Sequence, residues 1–263
     1  MLEVPFMSPM IVEIAPGIGL HWYGAMYVCG FYYAYRQGRR RLDEIGLDNE
    51  RFLDLLGYVA LGIICGGRIG YVGLYQSAEI HNWLQLWAVH RGGMSFHGAL
   101  LGGILATAYF AYQQRLSLCR LGDFIVPLLP IGLACGRIGN FINGELWGRP
   151  CQWPWGVIFT AAYDGIPRHP SPLYECCGEG LLLYWILSRC PTPPPYPGYT
   201  ALRFLWHYAW IRAVVECWRE PDAQIGYLVG NMLTMGQLLS LVMAVSAGIL
   251  WWVCRQRPHA LTT

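Results

Sequence analysis

FLDLLGYVALGIICGGRIGYVGLY, Phe52 to Tyr75, decides the fold class. A helix that crosses the hydrocarbon core of a bilayer needs about 20 predominantly apolar residues. This run supplies them, with Asp54 near its start and Arg68 as its charged residues. Comparable runs lie near 20–36, 92–114, 121–143, 171–188, 200–219 and 232–254. The composition agrees: of 263 residues, 55% are hydrophobic and 13% charged, whereas a soluble domain carries about 25% charged residues. The expectation is an all-α polytopic membrane protein with about seven transmembrane helices. It forms a single integral membrane domain over 1–263, with an interfacial N-terminal arm at 1–19 and a small extracytoplasmic cap at 145–170.

Direction follows from the arginines, since the chain has no lysine. With the N-terminus outside, the inner loops and tail collect Arg36, Arg39, Arg40, Arg41, Arg51, Arg115, Arg120, Arg189, Arg255 and Arg257. The outer segments collect Arg91, Arg149, Arg168 and Arg219. The positive-inside rule therefore favours N-terminus out and C-terminus in. Basic residues distributed this way report topology, so no nucleic-acid partner is inferred. On this topology Cys151 should react with an impermeant thiol reagent from outside. Met1 to Ile18 lacks a basic n-region and a cleavage site, so it is not read as a removable signal peptide. The ten cysteines show no metal or redox spacing and read as packing residues.

Two loops stand out. Glu145 to Pro170 is long and tryptophan-rich, which suits a small outer cap; CPTPPPYP, Cys190 to Pro197, reads as a stiff inner connector.

The polar residues share one depth. Tyr23 falls near the outer end of span one, Arg68 in the outer third of span two and His97 near the outer end of span three. Arg137, Asn140 and Asn143 fall at the outer end of span four, and Tyr208, Arg212, Glu216 and Arg219 in the outer half of span six. The last four are spaced i, i+4, i+8 and i+11, one helical stripe. A charge at a helix centre costs about 2.5–3.5 kcal/mol on insertion scales, so something must offset Arg68, Arg137 and Arg212. Glu145, Glu175, Glu179 and Glu216 could pair some of them. A surplus of guanidinium groups facing a cavity suits an anionic ligand, because guanidinium binds phosphate through bidentate, charge-assisted hydrogen bonds. Lipid headgroups lie at that depth. His97, in GGMSFHGALLGG, is either a satisfied hydrogen-bonding residue or a base, since a neutral imidazole can take a proton near neutral pH.

GRIGNFINGELWG, Gly136 to Gly148, closely resembles the signature of prolipoprotein diacylglyceryl transferases. HWYGAMY (His21–Tyr27), RIGYV (Arg68–Val72), RGGMSFHGALLGG (Arg91–Gly103), HPSPLYE (His169–Glu175) and RAVVECWREPD (Arg212–Asp222) resemble further blocks of that family, in its order. Ala99 and Pro172 depart from the usual pattern without removing a candidate group. The resemblance implies a seven-helix enzyme of the bacterial plasma (inner) membrane, with its active site facing the outer leaflet. Such an enzyme transfers the sn-1,2-diacylglyceryl group of phosphatidylglycerol to the lipobox cysteine of a prolipoprotein signal peptide, forming a thioether and releasing glycerol phosphate. It implies no metal or organic cofactor, and a nucleophile that belongs to the substrate.

By the same resemblance, Arg137 and Arg212 hold the headgroup phosphate and stabilise its departing charge, and His97 is general base for the thiol. The arginines could instead lower the thiol pKa directly, leaving His97 to position lipid. Tyr23 and Tyr208 line the cavity. Asn140, Asn143 and Glu145 bind headgroup hydroxyls or orient Arg137, Gly148 permits a tight turn, and Arg68, Glu216 and Arg219 complete the lipid site.

Two rivals belong to other classes. An intramembrane serine protease could use Ser95 of GMSF with His207 or His97, but the second glycine of GxSG is missing and the arginines go unexplained. An anion or lipid transporter could use the arginines as a binding site, but such sites lie at the midplane of inverted repeats, which are not evident here.

Overall fold

In the computed structural model, described for residues 2–4, 8, 10–15, 18–75, 94–162, 164–221, 227–228 and 233–256, the chain is 69% helix. Each of the seven apolar runs forms a helix: α1 (Trp22–Arg39), α2 (Asn49–Tyr75), α3 (Phe96–Gln113), α4 (Leu118–Ile125) continuing into α5 (Leu129–Ile142), α6 (Ser171–Glu175) continuing through a π-helix (Cys176–Leu182) into α7 (Leu183–Leu187), α8 (Tyr199–Val215) and α9 (Met235–Gln256). Three stretches, Asn49–Gly73, Leu118–Ile142 and Met235–Gln256, are long and apolar enough to cross a membrane. Large apolar side chains such as Leu61, Leu101, Leu105, Val242 and Ile249 face outward, an extent of exposed apolar surface that water does not tolerate.

The expectation of an all-α chain is corrected at the N-terminal arm and in the segment between α5 and α6. β1 (Leu2–Val4) pairs in parallel with β4 (Val157–Phe159), which pairs antiparallel with β5 (Pro167–Arg168). β2 (Met10–Ala15) and β3 (Ile18–His21) form a hairpin. Short strands of this length carry no hydropathic signal that rises above the turn residues around them.

The chain divides into two compact units, Met1–Gln37 with Gly122–Thr262, and Gly38–Leu121. The second unit is a helical hairpin of α2 and α3. Gly62, Gly66 and Gly70 on α2 recur every fourth residue, as do Gly98 and Gly102 on α3. A Cβ built on Gly66 would lie 2.8 Å from the Cα of Gly102, and one on Gly70 2.8 Å from the Cα of Gly98. Lipid offers no hydrophobic drive for helix association, so close backbone approach through small residues is what holds such a pair. Tyr58 closes the other end against Tyr109 and Phe110.

The first unit uses the same device. A Cβ on Gly30 of α1 would lie 2.9 Å from the Cα of Gly132 on α5, and one on Gly180 of the π-helix 2.5 Å from the Cβ of Ala134 on α5. Asp123 of α4 accepts the backbone N–H groups of Gly198 (2.6 Å) and Ala201 (2.9 Å). It thereby caps the start of α8, where Gly198, at φ +90°, provides no side chain of its own.

Candidate functional site

Four elements of the first unit converge on a buried charge cluster. α5 presents Arg137, the α6–π segment presents Glu175 and Glu179, α8 presents Tyr208 and Arg212, and the turn after α8 presents Glu216 and Arg219. The π-helix matters here. Its i→i+5 hydrogen bonds widen the turn and bring residues four apart more nearly into register than an α-helix does. Glu175 and Glu179, both with fully buried side chains, point the same way.

Arg137 Nη1 lies 2.8 Å from Glu175 Oε2, and its Nη2 donates to Glu179 Oε2 at 3.0 Å. Arg212 Nη1 lies 2.9 Å from Glu175 Oε1 and donates to Glu179 Oε1 at 3.1 Å, while its Nη2 donates to Glu216. Arg219 reaches Glu175 Oε1 at 3.9 Å. The Glu175 oxygens meet these arginines at ion-pair distance without hydrogen-bond geometry, so charge rather than direction governs that contact.

Among the described residues of this unit, three arginines thus face three glutamates, which corrects the expected surplus of guanidinium groups there. The balance has a physical reason. Isolated buried charges cost several kcal/mol each, and a buried ion pair recovers that cost only when its partners are close and correctly placed. The arginine side chains keep 11–17% of their surface exposed while the Glu175 and Glu179 side chains keep none. The cationic groups are therefore the ones an incoming ligand could meet.

Tyr208 lies within electrostatic range of Glu179, Arg212, Arg137 and Glu175, and its ring stacks on Phe204. Tyr23 packs across α5 where Gly139 leaves room: a Cβ there would stand 2.9 Å from the Tyr23 ring. Its hydroxyl is 3.2 Å from that of Tyr27. After α5 the chain turns through Gly144 (φ +64°) and Leu146 (φ +58°). A left-handed conformation is strained for leucine, and the Leu146 carbonyl is held by the buried Ser171 hydroxyl at 2.7 Å. Within this turn Asn140 and Asn143 each donate to Glu145 Oε1 at 3.1 Å.

Gly148 serves close approach rather than a turn. Its N–H donates to the His169 carbonyl at 2.9 Å and it bridges Arg219. A Cβ there would stand 2.5 Å from the Trp218 carbonyl oxygen and 2.7 Å from the His169 carbonyl oxygen. The signature segment is therefore clamped between the start of α6 and the exit of α8. Glu220 strengthens the clamp by accepting Trp147 Nε1 at 3.0 Å and an Arg168 guanidinium N–H. The hydrogen bond from Arg168 also holds the exposed Asp164 carboxyl below its usual pKa range.

The expected helical stripe needs one correction: α8 ends at Val215, so Glu216 is its C-cap and Arg219 lies beyond it. Arg219 returns to the cluster through the turn, with its N–H on the Glu216 carbonyl at 3.3 Å.

Arg68 and His97 belong to the second unit. Arg68 is 4% exposed and stands over Tyr71, 5.7 Å from the ring centroid. His97 lies in the first turn of α3; its side chain is outside the described residues, as are Arg91 and Arg257. The Ser95 N–H donates to the Gly67 carbonyl at 2.8 Å, which sets the turn carrying Arg68 beside the start of α3.

The serine protease reading loses its nucleophile. Ser95 is 5% exposed, and its hydroxyl accepts the Gly98 N–H as the cap of α3. His207 Nδ1 bonds to the Arg203 carbonyl at 2.7 Å, a contact within its own helix.

Glu175 and Glu179 are the arginine partners that the sequence offered, whereas Trp147, Arg168, Glu220 and Thr234 were not singled out as site residues. The two buried glutamates carried a usable signal, an i, i+4 pair of carboxylates inside an apolar run.

The family model described as prolipoprotein diacylglyceryl transferase matches residues 9–253. The chain is 43% identical over 262 residues to the phosphatidylglycerol–prolipoprotein diacylglyceryl transferase of Bordetella bronchiseptica, covering 98% of this chain and 99% of that one. It is 42% identical to the protein of that name from Legionella pneumophila (97% and 100% covered) and 44% to that from Pseudoalteromonas translucida (97% and 96% covered). With its apolar, outward-facing helices and a match that runs almost end to end, this membrane protein belongs to the prolipoprotein diacylglyceryl transferase family.

Proposed function

We propose that this chain transfers the sn-1,2-diacylglyceryl group of phosphatidylglycerol to the lipobox cysteine of a prolipoprotein, the first step of lipoprotein maturation. The observation that carries the reading is likeness over nearly the whole of both chains to relatives named for that transfer. The working topology is seven spans in the bacterial inner membrane, N-terminus out and C-terminus in, with the cap at 145–170 and the site opening to the outer leaflet. The arginine distribution and the seven helical runs support it.

The chemistry is a displacement at carbon. The substrate sulfur attacks the glyceryl carbon that bears phosphate, a C–S bond forms, the C–O bond breaks, and glycerol phosphate leaves with the electron pair. A free thiol has pKa near 8.5, so a base that removes its proton raises the rate by about 10²–10⁴; His97 takes that role. Negative charge grows on the departing phosphate. Arg137 and Arg212 take the role of meeting it, a reading supported by the ion pairs with Glu175, Glu179 and Glu216 that hold their guanidinium groups. Tyr23, Tyr208, Asn140, Asn143, Glu145, Gly148, Glu216 and Arg219 complete the lipid site in this reading, and Arg68 is also assigned to lipid binding.

Purified protein in detergent, given phosphatidylglycerol and a lipobox peptide, should add one diacylglyceryl group to the peptide and release an equal amount of glycerol phosphate. Cleaved peptide would point to the protease instead. No product from folded protein would favour transport.

A further inference from the structure

The start of α9 is built around the carboxylate of Glu216. Thr234, 2% exposed, precedes the helix. Its hydroxyl accepts the Gln237 N–H at 3.2 Å, and Gln237 Oε1 accepts the Thr234 N–H at 3.2 Å, the reciprocal cap of a T-x-x-Q sequence. A threonine hydroxyl has one proton to donate, and here it goes to Glu216 Oε1 at 3.0 Å. Glu216 Oε2 accepts Arg212 Nη2. Each oxygen of Glu216 therefore has its own donor.

Gly236 provides the space. A Cβ at that position would stand 2.6 Å from both Cδ and Oε1 of Glu216. Glycine lets the first turn of α9 close on the carboxylate, at the end of a helix whose dipole favours negative charge. The cap thus does two things: it starts α9, and it fixes the direction of one carboxylate from outside the signature blocks.

That carboxylate is one of three that orient Arg212. Nη1 of Arg212 is held by Glu175 and Glu179 and, among the described residues, Nη2 is held by Glu216. If Glu216 rotates, half of the guanidinium fork loses its reference. We propose that Thr234, with Gly236 as its steric partner, is a positioning residue for the transfer reaction, acting through Glu216 on Arg212. The inference rests on the reading of Arg212 as a phosphate-holding group.

The test is steady-state kinetics of peptide lipidation by the full-length protein in detergent. Thr234→Val keeps the shape and loses the hydroxyl; its kcat should fall about tenfold while KM for the peptide stays close to wild type, because small displacements of a charge-stabilising group act on the transition state. Thr234→Ser should restore activity to within about threefold, since it returns the donor and the cap. In a Glu216→Gln background, Thr234→Val should add less than about a twofold loss, the signature of two residues acting as one unit.

Wild-type kcat in folded Thr234→Val, or a full additional loss in the Glu216→Gln background, would overturn the proposal. Should Thr234→Val fail to fold, Gly236→Ala leaves the cap in place and displaces only the carboxylate, and a wild-type kcat there overturns it equally. A wild-type protein that lipidates no peptide would remove the transfer reading itself, an outcome distinct from an active enzyme indifferent to Thr234.

Discussion

Arg137 and Arg212 share two carboxylates: besides their common ion-pair contacts with Glu175, Nη2 of Arg137 donates to Glu179 Oε2 at 3.0 Å and Nη1 of Arg212 donates to Glu179 Oε1 at 3.1 Å. Two guanidinium groups on different helices are thereby set at a fixed separation, with charge that repels unless an anion sits between them. Removing either arginine dismantles the fork. Arg137→Ala and Arg212→Ala should each lower lipidation by at least about 10²-fold, the scale of losing one preorganised charge-stabilising group, with membrane insertion retained. Near-wild-type turnover in either purified variant would rule out the phosphate role.

His97 carries the base assignment, and substitution can separate base from spacer. His97→Gln keeps size and hydrogen bonding but cannot accept a thiol proton near neutral pH. We expect at least a tenfold loss in kcat/KM. The acidic limb that protonation of the base gives the wild-type pH profile should vanish in the variant. An unchanged rate and profile would assign thiol activation to the arginines.

How much of this was readable in the sequence follows from what each signal measures. Helices α1, α2, α3 and α9 are long apolar runs, and hydropathy found them to within a few residues because the bilayer requirement is a length. The short strands β1 to β5 went unread because two to six residues give no usable period. The Arg137 and Arg212 pairing was half-readable: the cost of buried charge demanded partners, but only the π-helix shows that Glu175 and Glu179 face one way. Thr234 was unreadable as a site residue, since a capping threonine looks the same whether or not a carboxylate waits beside it. Gly148 was read as a turn glycine, yet the turn glycine is Gly144, and Gly148 is excluded from carrying a side chain by carbonyl groups distant in sequence.

Gly148 offers a steric test. A methyl group there must displace the carbonyls of Trp218 and His169, both of them backbone rather than a flexible side chain. Overpacking of this kind costs about 1–3 kcal/mol. Gly148→Ala should therefore lower the thermal midpoint in detergent and, by shifting Arg219 and Glu216 with their turn, reduce kcat. A variant with wild-type midpoint and rate would show that the clamp yields without consequence.

Topology can be tested with thiol labelling, but the native Cys151 is a poor reporter. It is 4% exposed and its N–H donates to the Pro167 carbonyl at 2.7 Å, so its thiol would stay silent on either face. The exposed Asp164, between α5 and α6, and the exposed Glu50, at the start of α2, make better positions. In a background with the ten native cysteines replaced, Asp164→Cys should react with an impermeant maleimide in intact cells. Glu50→Cys should react only after permeabilisation. The reverse pattern would invert the orientation and place the charge cluster at the inner leaflet. Substrate would then have to be drawn from the cytoplasmic side, which the arginine distribution argues against.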